Sequence, residues 1–213
     1  MIANGPSILR YFKESAGKPG ATLCLSVGQP PVALLRPVAT DARFINKTDV
    51  EALTKWRNKY VSSFLTEFNA TVEQTTHWLT KMVAADDTRI LFMIDDLSGR
   101  TFGYMGIAFI DWEKHYVEAD AIVRGETAAP GTMAACLKGL LSWVKNALGL
   151  HDIHVRVRSD NPAVEFYRKL GFREEKRVSL KKTAQPDKII WTEDSAPSSV
   201  QLVHMTLDPN SLP

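Results

Sequence analysis

Two stretches of this chain combine residue types that can do chemistry. In Val123–Met133 an apolar run that began at Ala119 gives way to Gly, Thr, Ala and Pro, after which Met133, Leu137, Leu140, Leu141, Val144 and Leu148 repeat at helical spacing. A strand end turning into a helix over 131–148 makes an anion site. The first N–H groups of such a helix lack intrahelical partners, and its aligned peptide dipoles place roughly half a positive charge there. No acidic residue follows Glu126 in the turn, so the N–H groups of Thr127, Ala128, Ala129, Gly131 and Thr132 can converge on a phosphate. In Ser159–Phe172 a short helix has both ends written into it: Asn161 suits the N-cap, Pro162 the first helical position, and Gly171 a left-handed stop. Its apolar side, Ala163, Val164, Phe166, Tyr167 and Leu170, carries Tyr167 inward, where a phenol needs a hydrogen-bond partner or a reason to lack one.

Strand alternation over 117–123 puts Glu118 and Asp120 on one face, opposite Val117, Ala119 and Ala121. A carboxylate there is either a proton acceptor with a pKa raised by burial or a solvated side chain on a half-exposed strand. Trp56 and Arg57 are either an acceptor pocket, with the ring stacking on a sugar or base and the guanidinium holding a phosphate, or a core Trp beside a surface Arg. His151 and His154 have a spacing that suggests a metal, but no third ligand is near, and no metal is expected. The sequence contains no nucleophile-elbow, Walker or zinc motif.

The elements that must position these residues follow from periodicity and punctuation. Gly and Pro break residues 1–32 into an N-terminal extension with room for a short helix at 8–14 and a strand at 22–27 that pairs with the next. Residues 33–213 then form a single domain. Ala33–Val38 is a strand; Asp49–Tyr60 is a helix with Thr48 as N-cap and Glu51 in capping-box position; Thr71 and Gln74 cap a second helix whose apolar side includes Val72, Trp78, Leu79, Met82 and Val83. Strands at 89–95, 102–112 and 117–123 form a meander with a turn at Gly99, and 153–158 is the next strand. Strands 172–182 and 200–207 close the sheet around a long loop that is either a lid or an ordinary surface connection.

With 213 residues, the chain can bury one sizeable core, and a net charge of +2 argues against a general nucleic-acid footprint. Its two cysteines, Cys24 and Cys136, are far apart, which reads as a reducing, cytoplasmic protein rather than a disulfide framework. No apolar run approaches the roughly 20 residues of a membrane helix.

The run Asn161–Phe172, preceded by the Gly-containing turn and the strand 153–157, resembles the GNAT superfamily of N-acetyltransferases. The resemblance extends as an order of elements over 34–207. It implies an α/β (α+β) fold with a mixed, mostly antiparallel sheet of about seven strands flanked by helices, splayed in a V between strands 117–123 and 153–157 to admit acetyl-CoA. On that likeness the turn Thr127–Thr132 cradles the pyrophosphate, and Ile122, Val123, Arg124, Asn161, Phe166 and Tyr167 also line the CoA site. Tyr167 is then the general acid at the thioester sulfur, Glu118 the base and an acceptor contact, and Asp120 the second choice of base. Trp56 and Arg57 face the acceptor. The turn departs from the family pattern of Gln or Arg, two residues, Gly, one residue, Gly or Ala, because Glu126, Ala129 and Gly131 stand in those places.

The helix bearing Trp56-Arg57-Asn58 and the capped helix after it resemble the branch acting on nucleotide-linked amino sugars and ribosomal-protein N-termini. The expected partners are therefore acetyl-CoA and a small amine acceptor, an amino sugar on a nucleotide first and a protein α-amino group second. A homodimer is compatible with this reading, while nucleic acid and membrane are not expected. The altered turn leaves a catalytically silent acyl-CoA-binding module as the alternative from a different class.

Overall fold

Ten strands make the sheet of this computed structural model, which describes residues 4–211; the expected divisions 1–32 and 33–213 each run into an undescribed end. The strands are β1 Leu25–Val27, β2 Ala33–Pro37, β3 Thr66–Glu67, β4 Ile90–Asp95, β5 Thr101–Asp111, β6 Tyr116–Arg124, β7 Asp152–Arg158, β8 Phe172–Ala184, β9 Ile189–Glu193 and β10 Gln201–Leu207. Their order is β1-β2-β4-β5-β6-β7-β10-β8-β9-β3. Neighbours are antiparallel except β6 and β7, which run parallel. The helices are α1 Gly5–Ser15, α2 Lys47–Lys59, α3 Val72–His77 continuing as a π-helical stretch Trp78–Val83, α4 Thr132–Leu148 and α5 Ala163–Lys169.

The count exceeds the expected seven by three: β1 of the N-terminal extension pairs onto β2, and β9 and β3 are added because the tail of the sheet is not an open loop. Strand β8 runs on to Ala184, turns where the Gln185 N–H donates to the Lys188 carbonyl, and returns as β9, which pairs with the two residues of β3. The segment weighed as a lid is thus a hairpin stitched to the loop that follows α2.

Each face of the sheet carries its own apolar cluster. On one, Leu137, Leu140, Leu141 and Val144 of α4 pack with Phe92, Met105, Ile107, Val155 and Met205. Helix α1 belongs to this layer: Leu9 and Phe12 are buried there, and the Phe12 ring lies 5.1 Å from Trp143 and 6.3 Å from Phe92. On the other face, Val50, Leu53 and Trp56 of α2 and Leu79 and Val83 of the π-helical stretch cover Leu91, Met93 and Tyr104.

Several local expectations are corrected. Asn46, not Thr48, caps α2, its side-chain oxygen accepting from the N–H groups of Thr48 and Asp49. Thr71 and Gln74 do form the expected capping box, but Val72 and Met82 are exposed, Met82 beyond the point where the π-helical stretch changes the helical phase. Alternation along β6 also fails at one point. Ala121 has φ +55°, and the β5–β6 register slips between Tyr104–Val123 and Gly106–Asp120. This bulge moves Ala121 to the α2 face and turns Ile122 toward the α4 core, so Ala121 is not opposite the two carboxylates as expected.

The β6–β7 ladder ends at Glu118–His154. Beyond it the two strands part, and the V between them is where the site residues meet.

Candidate active site

The splay opens into a cleft of about 730 Å³, within the range of small-ligand sites. Glu118, Asp120, Ile122, Val123, Arg124, Asn161, Phe166, Tyr167 and Arg57 all line it. Trp56 does not. It is 3% exposed, stacked on Tyr104 in the α2 cluster, so it cannot offer its ring to an acceptor.

Tyr167 sits on the inner side of α5, its ring edge-on to Phe166 and Phe172. Helix α5 begins one residue later than expected, at Ala163. Pro162, not Asn161, therefore stands at the N-cap, and Asn161 sits one residue before it, its Oδ1 accepting from the Ala163 N–H at 2.9 Å. Gly171, at φ +96°, takes the left-handed conformation that ends the turn. Among the described residues no group takes the Tyr167 hydroxyl, which leaves it available to whatever occupies the cleft. Burial, and then the nearby charge of Asp120, push its pKa above the ordinary phenol value, so its proton is firmly held at neutral pH.

The two carboxylates of β6 differ in their surroundings. Glu118 is buried and engaged: Tyr116 donates to Oε1 at 2.6 Å and Arg156 Nε to Oε2 at 2.7 Å. Asp120, two residues on, is walled by protein yet keeps 37% of its side-chain surface open to the cleft, and its nearest cation, Arg89 Nη2, is 3.9 Å away. Burial raises its pKa, with Arg89 opposing. Glu118 thus accepts from two side chains, whereas Asp120 accepts from no side chain among the described residues and keeps only the longer Arg89 contact.

The turn before α4 explains its own departures from pattern. Glu126 swings away from the helix and accepts from Lys55 Nζ at 2.7 Å and from the Trp56 indole at 3.0 Å, and the Lys55 contact lowers its pKa. A Cβ on Gly125 would lie 2.0 Å from the Trp56 ring, so only glycine lets the turn cross that indole. The N–H groups of Gly125 and Glu126 are tied to the Phe102 carbonyl, and that of Thr132 to Ala129. Those of Thr127, Ala128, Ala129, Gly131, Met133 and Ala134 find no acceptor among the described residues. Gly131 has φ +82°, open space where a side chain would point, and no acidic residue in the first helical turn.

The end of the cleft toward β9 holds residues that sequence reasoning missed. Arg158, 6% exposed, pairs with Glu67 and Asp160 at 2.7 Å each and lies 4.2 Å over the Trp191 ring, tying β9 to the rim. Alternation with Arg156 was its available signal. Arg57 donates to the Thr66 carbonyl at 2.9 Å and to that of Phe68, and stacks 3.8 Å over the Phe68 ring, so it shapes the loop after α2. Phe109 also lines the cleft, and nothing in the sequence marks it. His154, weighed for a metal, is held by Asp152 at 2.6 Å and Thr206 at 3.1 Å, and His151 stacks on His115.

The model of the family described as "Acetyltransferase (GNAT) domain" matches residues 40–173, well over half the chain. The chain belongs to the GNAT acetyltransferase family. It is an acyltransferase, with the family's mixed α/β architecture. No curated protein sequence matches this GNAT chain. Solved structures resemble it in fold. A chimera of the spermidine N-acetyltransferase from Vibrio cholerae with hSSAT has 17% identity and TM-score 0.63 over 84% of this chain and 96% of that one. The Vibrio cholerae spermidine N-acetyltransferase in complex with CoA and spermine has 17% identity and TM-score 0.61 over 82% and 95%. A GCN5-related N-acetyltransferase from Brucella melitensis has 16% identity and TM-score 0.64 over 87% and 79%. At these identities the likeness is one of fold.

Proposed function

We propose that this GNAT protein moves an acetyl group from acetyl-CoA to the primary amine of a small acceptor by direct attack in a ternary complex. The observation that carries this reading is the splay itself, which brings Asp120 and Tyr167 to one cleft and leaves the facing edges of β6 and β7 without ladder bonds. The residues fit acetyl-CoA. Unpaired N–H groups around Gly131 suit its pyrophosphate, with Arg124 on the same rim, and the open strand edges suit the amides of its pantetheine arm. When bound, it supplies an activated thioester.

The chain's own part is proton management. Asp120, with its raised pKa and free carboxylate, is the better placed base, ahead of Glu118, which is committed to Arg156 and Tyr116. Tyr167 donates to the departing sulfur. The two steps are coupled: once Asp120 has taken the amine proton, the negative charge that opposes ionisation of Tyr167 is gone, which eases donation. Asn161 fixes the start of α5 and hence the phenol's position, while Phe166 and Ile122 keep the cleft walls apolar.

An amino sugar on a nucleotide is the first acceptor class, and a polyamine, named in the titles of the fold neighbours, the second. Thiol release measured across a panel of amines at saturating acetyl-CoA tests the reading. Release that depends on an amine supports it; CoA-induced stabilisation with no release on any amine would instead favour a silent binding module.

A further inference from the structure

Phe109 is out of place for a strand residue. Its neighbours Met105 and Ile107 point into the α4 core, and simple alternation would send Phe109 there too. Instead it takes φ +57°, a left-handed conformation unfavourable for a bulky side chain, where the β5–β6 register slips between Ala108 and Asp111. Ile110 takes the core position, and the Phe109 ring stands 48% exposed in the cleft. An aromatic ring expelled from a core at the cost of backbone strain points to a contact outside the fold.

Two guanidiniums flank that ring, Arg156 Cζ at 4.9 Å from its centroid and Arg89 Cζ at 5.7 Å. Neither is saturated. The Arg89 side chain is 20% exposed and has a buried Nε with no hydrogen-bond partner; its nearest carboxylates, Asp86 and Asp120, stand at 3.6 and 3.9 Å. Arg156 is bonded through Nε alone, to Glu118, leaving both terminal nitrogens without acceptors among the described residues. Of the other guanidiniums at this end of the cleft, Arg158 is engaged through all three nitrogens and Arg57 gives both terminal nitrogens to carbonyls, while Arg89 does not line the cleft itself and meets it through Phe109 and Asp120. Unused guanidinium donors beside a free carboxylate suit a ligand bearing both signs: an amine for Asp120 and an anion for the arginines.

We propose that the acceptor carries an anionic group, phosphate or carboxylate, close to its amine, and that Arg89 and Arg156 bind this group against the Phe109 ring. The inference rests on the cleft being an amine-acceptor site. It opposes a polyamine acceptor, whose added positive charges would meet these two guanidiniums.

Matched acceptors test it: an amino-sugar phosphate against the parent amino sugar, an α-amino acid against its amide, and spermidine as the polycation. The anionic member of at least one pair should have a kcat/KM about tenfold or more higher, and whichever pair shows this distinguishes phosphate from carboxylate. Arg89→Gln and Arg156→Gln should each collapse that ratio toward one. The ratio is the readout because Arg89 also sits near Asp120, and its loss slows all acceptors together. A wild-type ratio at or below one in both pairs, preference for spermidine, or a ratio unchanged in both variants overturns the proposal.

Binding gives a second arm. With CoA saturating the α4 end, inorganic diphosphate should raise the melting temperature of the wild type but not of the Arg89→Gln/Arg156→Gln double variant. No rise in the wild type would overturn the anion site. If no amine reacts and CoA gives no shift, the acetyltransferase reading fails separately. A diphosphate shift that survives Gly131→Glu but not the double variant would still support the anion site.

Discussion

Replacing Tyr167 with Phe separates chemistry from packing with unusual clarity. The hydroxyl has no acceptor among the described residues, so its removal strands no partner, and the ring keeps its contacts with Phe166 and Phe172. Deleting a polar group without orphaning its partner is close to neutral, so the stability change should stay within about 1 kcal/mol. For a domain of this size that is a melting shift of at most about 2–4 °C. If the phenol donates to the leaving sulfur, turnover should fall by about 10²–10⁴, the usual weight of a positioned general acid, while CoA-induced stabilisation persists. The assay is thiol release at saturating acetyl-CoA and acceptor, with melting curves on the same preparation with and without CoA. Turnover within about threefold of wild type would remove Tyr167 from the mechanism. Loss of both turnover and CoA binding would mean that the hydroxyl acts on the cofactor's binding instead.

Asp120→Asn should lower kcat/KM by at least about 10² and flatten the acidic limb of its pH profile. In the wild type that limb should lie above the ordinary aspartate value of about 4, because burial raises the Asp120 pKa and protonation as pH falls removes the base. The same variant should melt higher at neutral pH. A carboxyl whose pKa is higher folded than unfolded costs stability once pH rises past its unfolded value, and the amide carries no such cost. Glu118→Gln should instead lose about 1–3 kcal/mol of stability, since it weakens the partner of a half-buried Arg156, and should slow turnover less than Asp120→Asn. Gly131→Glu should abolish the CoA-induced melting shift by placing a negative charge at the α4 N-terminus, and an undiminished shift would move the pyrophosphate elsewhere. Phe109→Gly should leave melting within about 4 °C of wild type, because strain relief of about 1–2 kcal/mol offsets the lost ring contacts, while the acceptor KM rises.

Much of this site was legible in the sequence because local chemistry set it. Gly171 takes the left-handed stop its place implies, the apolar face of α5 does carry Tyr167 inward, and Thr71 with Gln74 forms the box their spacing suggests. What escaped reading depends on long-range partners. The Trp-Arg pair of α2 looked like a ligand platform, yet Trp56 is consumed by Tyr104 of β5 and by Gly125 and Glu126 of the turn after β6, and Arg57 by the carbonyls of Thr66 and Phe68. The same contact resolves the departure at Glu126, since the acid that would repel a pyrophosphate is turned away by the indole hydrogen bond and paired with the Lys55 ammonium. Strand β9 was hidden because its ladder partners among the described residues are the far end of β8 and two residues of β3, over a hundred positions earlier.

The two left-handed residues beside the cleft, Phe109 on β5 and Ala121 on β6, show why a strict period-two reading could place the carboxylates but not the rest of the site. Each bulge lets one strand change which face its side chains serve without leaving the sheet. At Ala121 the switch follows Asp120, so Glu118 and Asp120 keep the alternation that the sequence implies while Ile122 turns back to the α4 core. At Phe109 the switch throws a ring out toward Arg89 and Arg156 and draws Ile110 inward. Both residues accept a backbone conformation costing on the order of 1–2 kcal/mol each, and that strain persists only because the strands on either side are fixed by their ladders. Ala121 marks where β6 leaves β7 and Phe109 stands beside the last paired residues, so that an exposed carboxylate, an unpartnered phenol and the Arg156 guanidinium share the cleft, with Arg89 at the Phe109 edge.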